Sequence, residues 1–269
     1  MVITLGIISI KGGVGKTTIS AALASSLAND YKKKTLLIDA NYSAPNLGLH
    51  MDIIQPEKTL HQAIDGKARI ESAIHNRYGV DVIPGSYVYD KLINPLRLKD
   101  KLQRIKNNYD FIIIDSSPSL NEESLSTILA SDYLFLVTTP DYPTLSCSLK
   151  IAHIAKQRGK NVKGIIINKI RDPLYELTLK EIERTSEIPV IARIKDDKNL
   201  SRSLFTRIPM TIYKKRSRFS REIDRLSATL ANKKEKAYLI KKFLSLNFRK
   251  EEVNRQLLKE SFYRGIFAK

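Results

Sequence analysis

The chain has no tryptophan and one cysteine among its 269 residues. A lone thiol, Cys147, excludes an intrachain disulfide framework and any cysteine-pair zinc or iron–sulfur site. The four histidines, at positions 50, 61, 75 and 153, lack metal-ligand spacing. No apolar run approaches the roughly 18 residues of a membrane-crossing helix. The opening run, MVITLGIISI, has neither the charged start nor the small-residue cleavage site of a signal peptide, so a cytoplasmic protein is expected. Acid is the scarce charge: 28 Asp and Glu stand against 46 Lys and Arg, a formal net charge of +18. The scarcity is local, because residues 193–269 hold 22 basic and 8 acidic side chains. Such a basic segment concentrates a polyanion, either nucleic acid or an anionic lipid surface.

An apolar fraction of 42% is ordinary for a globular protein. Seven short apolar runs are expected strands: Val2–Ser9, Thr35–Asp39, Val80–Pro84, Phe111–Asp115, Tyr133–Thr138, Gly164–Asn168 and Val190–Ile194. Most lack polar alternation, which suits strands buried on both faces of a parallel sheet. Helical stretches lie between or after them, over Lys16–Asn29, Lys91–Asn107, Glu122–Ala130, Thr144–Arg158, Tyr175–Ser186 and Ser217–Asn232. This alternation predicts an α/β fold, a doubly wound, mostly parallel sheet flanked by helices. Ligands of such sheets bind beyond the carboxyl ends of the strands. Residues 1–232 are expected to form that domain. Residues 233–269 form a basic, helical C-terminal extension, in two pieces broken near Leu246–Phe248.

After the first strand comes Lys11-Gly12-Gly13-Val14-Gly15-Lys16-Thr17-Thr18, then a helix-forming run. Three glycines let the backbone curl and aim its N–H groups at phosphate oxygens. The helix adds the positive end of its dipole. Lys16 is placed for the β- and γ-phosphates of a nucleotide, and the Thr17 hydroxyl for Mg²⁺. The strict P-loop spacing asks for glycine where Ile10 stands, and a second lysine, Lys11, opens the loop.

KGGVGKTT resembles the deviant Walker A signature of the MinD/ParA superfamily of positioning ATPases. The resemblance implies the P-loop NTPase fold, ATP and Mg²⁺ as cofactors, and an ATP-dependent homodimer. In that family the early lysine, here Lys11, reaches the partner subunit's nucleotide. Asp39-Ala40-Asn41 resembles the family's Asp-x-Asp switch, which places Asp39 near Mg²⁺ and the attacking water. Asn41 departs from it, since an amide orients water but cannot take its proton; slow intrinsic hydrolysis is expected. The run Phe111–Asp115 resembles a Walker B strand, with Asp115 holding a water of the Mg²⁺ shell. Asn168 matches the asparagine that reads adenine, although a polar strand end would look the same from chemistry alone. The family's second base-side segment is Pro-x-Asp; its proline is missing here, and Asp197 alone carries over.

Gln62-Ala63-Ile64, Tyr78–Pro84 and Asn46–Leu49 look closer to MinD than to ParA. MinD-type proteins hold the inner membrane surface through a C-terminal amphipathic helix. Val253, Leu257, Leu258, Phe262, Ile266 and Phe267, interleaved with Arg255, Lys259, Arg264 and Lys269, suit anionic lipid. A helix docked on its own domain is the alternative. ParA-type proteins instead hold nucleoid DNA non-specifically, for which Arg193, Lys195, Lys198, Arg202, Arg207, Lys214, Lys215, Arg216, Arg218 and Arg221 are candidates. The resemblance also implies a protein activator, received in relatives on the helix containing Cys147 and His153. Membrane is the preferred surface, and spatial positioning or division-site regulation the expected role. DNA partitioning or a nearly non-hydrolysing ATP switch are the alternatives.

Overall fold

A computed structural model describes residues 2–172, 174–233 and 249–267, with side chains of the final helix described through Tyr263. Eight strands form one sheet: β1 (Ile3–Ile8), β2 (Thr35–Ala40), β3 (His75–Arg77), β4 (Val80–Ile83), β5 (Phe111–Ser116), β6 (Tyr133–Thr138), β7 (Val162–Ile170) and β8 (Val190–Lys195). Their order is β3-β4-β2-β5-β1-β6-β7-β8, with every pair parallel except β3–β4. β1, β2 and β5 are buried at every residue, as their unbroken apolar character requires. After β1 the chain winds to one side of the sheet and then, from β6, to the other. The carboxyl end of β1 is therefore the switch point where such sheets open a crevice.

One face of the sheet packs on α1 (Lys16–Tyr31), α10 (Arg218–Leu230) and the C-terminal helix (Lys250–Phe267) around Leu5, Ile7, Leu23, Phe219 and Leu226. The other face carries α3 (Leu60–Asp65), α4 (Leu98–Gln103), α5 (Glu122–Ala130), α6 (Tyr142–Gln157) and α7 (Leu179–Ser186). Three further short helices, α2 (Leu47–His50), α8 (Asn199–Phe205) and α9 (Met210–Tyr213), follow β2 and β8.

The structure corrects several expectations. The helix predicted over Lys91–Asn107 shrinks to Leu98–Gln103, because Pro95 has no N–H and Asn94 caps a tight turn by accepting from the Leu96 amide. The helix predicted from Tyr175 begins at Leu179, where Thr178 and Glu181 cap each other reciprocally. β3 is polar and short, so no apolar run announces it. It pairs with β4 through Tyr78 and Gly79, both at positive φ, the twist a two-residue hairpin needs.

For the described part of the extension, the structure shows the docked alternative. The predicted break and first helical piece lie outside the described residues. The second piece is docked on β8 and α10. Leu258 and Phe262, from the stripe assigned to lipid, are buried, and Phe262 meets Tyr133 edge-on at 4.4 Å. Arg255 is only 2% exposed; it donates to the Ile191 carbonyl at 3.0 Å and pairs with Glu222 at 3.1 Å. Asn254 donates to the Val190 carbonyl at 2.8 Å. Val253 and Leu257 remain exposed. The helix thus covers the edge strand β8 and satisfies its outward carbonyls, a protected edge rather than an open one.

Candidate functional site

The bend between β1 and α1 is built around Gly15. Its φ of 96° is a conformation that side-chained residues adopt only under strain. A Cβ there would sit 2.4 Å from Asn168 Nδ2. Asn168, buried near the end of β7, donates that Nδ2 to the Val14 carbonyl at 2.8 Å. The expected base-reading residue is therefore also a brace for the phosphate loop, and its Oδ1, without a hydrogen-bond partner, remains for a ligand donor. Lys16 opens α1 and is buried; burial holds its ammonium below the usual range while Asp115 pulls it back up. An anionic phosphate chain, cradled by the first-turn amides of α1, matches that buried charge.

Asp39 and Asp115 stand side by side near the ends of β2 and β5, in direct register. Asp115 accepts from Thr17 Oγ1 at 2.7 Å and from Ser20 Oγ at 3.1 Å. Burial pushes its carboxyl up to about 6, with Thr17, Lys16 and Ser20 opposing. Burial and the neighbouring Asp115 push Asp39 up to about 7, against three backbone N–H donors. Two adjacent buried carboxylates beside a hydroxyl are short of positive charge, and Mg²⁺ fits this donor set. Thr17 would hold it, with Asp115 supporting its water shell; the ion would supply charge neutralisation at the phosphates.

Asp39 itself does not line the cleft. Its Oδ1 accepts from the Asn41 amide at 3.2 Å, and its Oδ2 from those of Asn46 and Leu47 at 3.0 and 2.9 Å. From the end of β2, beside Asp115, it shapes the loop 41–47. Asn41 and Asn46 of the loop border the cleft. The Asn41 Nδ2 donates to the Ala44 carbonyl at 2.5 Å, and its buried Oδ1 has no hydrogen-bond partner among the described residues.

The cleft, about 1080 Å³, runs from Gly12, Gly13, Lys16, Thr17 and Thr18 past Asn168 to Asp196 and Asp197. Asp197 borders it, with Oδ1 accepting from the Asn199 amide at 2.9 Å to start α8. Beyond lie Lys198, Lys214, Arg216, Arg218 and Arg221, a basic far wall. Lys11 is exposed and does not line its own cleft. Sequence reasoning missed Ser20, one helical turn after Lys16, and the Ser43 hydroxyl bonded to the Glu123 carboxylate. It also missed His61, which reaches the same loop.

The profile of the AAA domain family matches residues 2–166. An uncharacterized ATP-binding protein of Methanocaldococcus jannaschii is 35% identical, over 90% of this chain and 92% of that protein. The chain belongs to the MinD/ParA superfamily of P-loop ATPases. Within it, the virulence plasmid ParA family protein of Chlamydia psittaci is 31% identical, covering 86% of this chain and 95% of that protein. The septum site-determining protein MinD of Pyrococcus horikoshii, solved with Mg-ADP, aligns with a TM-score of 0.79 at 27% identity, over 83% of this chain and 93% of that one.

For a MinD/ParA ATPase, the paired carboxylates make magnesium binding a proton-linked event. Both pKa values are raised, so near neutral pH the nucleotide-free protein retains protons that the bound cation must expel. Mg-ATP affinity is expected to rise from about pH 5.5 to 8, with release of up to about one proton near pH 6.5. Calorimetry in buffers of different ionisation enthalpy measures this; proton uptake on binding contradicts the assignment.

Proposed function

We propose that the protein is an ATP-dependent dimerising switch that holds a polyanionic surface, nucleic acid in preference to membrane, and hydrolyses ATP slowly on its own. The observation carrying this is the split use of the two loop lysines. Lys16 is buried in its own cleft, whereas Lys11 is exposed outside it, available to a phosphate chain on a second copy. Exposed apolar side chains follow six strands at this same end of the sheet: Leu49, Tyr87, Leu120, Tyr142, Tyr175 and Phe205. A concentration of apolar surface at one end suits a face that is covered in one state of a cycle.

Docking of Leu258 and Phe262 moves the preference from lipid to nucleic acid. The basic wall of Lys198, Lys214, Arg216, Arg218 and Arg221 adjoins the nucleotide, so phosphate backbone contacts there would be sequence-independent and salt-sensitive. The activity would sit on the nucleoid, with a protein activator accelerating turnover.

Size-exclusion chromatography with Mg-ADP and Mg-ATP tests the reading. The wild type is expected to dimerise only with ATP, and Lys11→Ala to stay monomeric while still binding nucleotide. DNA shifts that weaken with salt, without liposome sedimentation, support the surface assignment; the reverse pattern sinks it.

Slow turnover rests on Asn41. Its Oδ1 can accept a hydrogen bond from water but cannot remove a proton. Asn41→Asp is expected to raise single-turnover hydrolysis by on the order of tenfold to hundredfold, with little change in ATP affinity. An unchanged rate would place the proton acceptor elsewhere.

A further inference from the structure

The loop that carries Asn41 is held from three sides. Asp39 gathers the amides of Asn41, Asn46 and Leu47 from below. Glu123, on α5, takes the Ser43 hydroxyl. The third holder is His61, on α3, which no part of the phosphate chemistry requires. It is 3% exposed, and both ring nitrogens are engaged. The Ser86 amide lies 3.0 Å from Nδ1, and the Tyr42 carbonyl 3.0 Å from Nε2.

These partners fix the proton. A backbone N–H can only donate, so Nδ1 must be the bare acceptor. Nε2 then carries the hydrogen and donates it to the Tyr42 carbonyl. The ring is neutral and in one tautomer. Burial keeps it below the ordinary histidine range, while the Tyr42 carbonyl and the Glu123 charge work the other way. The rings of Tyr42 and Tyr89 flank it at 5.5 and 5.3 Å. The contact is tight on the far side as well. A Cβ on Gly85 would come within 2.3 Å of Pro45 Cβ and 3.4 Å of His61 Cε1, so only glycine lets residues 84–86 lie this close to the loop.

We infer that His61 is a positioning residue for hydrolysis: by bridging Ser86 to Tyr42, it sets how the adjacent Asn41 side chain is held at the border of the cleft. This rests on reading the cleft as an ATP-hydrolysing site. The Asn41 backbone amide is held by Asp39 of β2, but its side chain is held through Nδ2 by the Ala44 carbonyl, so the aim of that side chain is only as fixed as the loop. Misplacing a water-orienting group by about 1 Å costs on the order of a hundredfold in rate. Lys16, Thr17 and Asp115 belong to other elements, so nucleotide affinity should not depend on the bridge.

Two substitutions separate the halves of the bridge. In His61→Gln the side-chain amide can still donate near the Nε2 position to Tyr42. In His61→Asn the carbonyl oxygen can still accept near the Nδ1 position from Ser86, but the Tyr42 contact is lost. Hydrogen exchange at residues 42–47 and single-turnover hydrolysis are measured with Mg-ATP, alongside the dissociation constant for ATP. For His61→Asn the expected result is exchange faster by about tenfold or more, hydrolysis slower by a similar factor, and ATP affinity within about twofold of wild type. His61→Gln should recover most of both losses. Equal behaviour of the two variants, or exchange at 42–47 unchanged in His61→Asn, overturns the inference and leaves His61 as packing. Exchange reads the bridge even if the wild type proves not to hydrolyse ATP. That outcome would count against the proposed function instead.

Discussion

Gly15→Ala is expected to reduce ATP binding by on the order of a hundredfold or more, as read by calorimetry or a fluorescent nucleotide. Two penalties coincide at this position. The backbone sits at φ 96°, where an L side chain is strained by roughly 1–2 kcal/mol. The new methyl would also stand 2.4 Å from Asn168 Nδ2, far inside van der Waals contact. The cheapest relief is for Asn168 to swing away, which releases the Val14 carbonyl and removes the brace of the loop. Each remedy disturbs either the cradle of amides or the base end of the cleft. Asn168→Ala provides the control. Alone it removes the brace and the base-side amide without the φ strain, so it should weaken binding less than Gly15→Ala does. Full affinity in the single variant would mean that the loop does not hold the phosphates.

The second large effect is expected far from the cleft. Arg255→Ala should lower stability by about 3–5 kcal/mol, seen as a fall in the denaturation midpoint. Arg255 is fully enclosed, and Glu222, itself buried, accepts from it and from Arg225 at 2.9 Å. Truncation leaves a carboxylate with one of its two cationic partners and the Ile191 carbonyl without its donor. Leaving such groups buried and underpaired costs more than the pair itself contributed. Removing residues 249–269 altogether would also uncover β8 and strip Leu258 and Phe262 from the core. That deletion should give an aggregation-prone protein rather than a stable one that has merely lost its grip on a surface. A deletion variant with unchanged stability would show that the helix is a detachable appendage.

The site was legible in the sequence to the extent that its residues act locally. Lys16, Thr17 and the three glycines lie in one bend, and a strand before and a helix after are enough to define what that bend does. Asp115 was legible for the same reason, as an acid ending an apolar strand. Asp39 was found but the amides it gathers were not, because they belong to a loop whose path depends on α3 and α5. Asn168 was assigned to the base alone. Its second contact crosses from β7 to Val14, a pairing that only the sheet order brings together. His61 carried no signal of its own, since a single histidine in an amphipathic stretch looks like core.

The tail shows the same division most sharply. Its spacing of apolar residues announces a helix with one greasy side, and nothing in that spacing names what covers it. Lipid and the protein's own β8 edge bury apolar groups equally well, because the hydrophobic effect is non-directional. The directional contacts of Arg255 and Asn254 with Glu222 and the β8 carbonyls identify the cover in the structure. The sequence by itself determined the phosphate bend, the parallel sheet and the family, because these depend on neighbours in the chain. The tertiary structure alone decided which acids touch loops, which asparagine braces the bend and where the last helix lies. Those depend on partners that hydrogen-bond across long sequence separations.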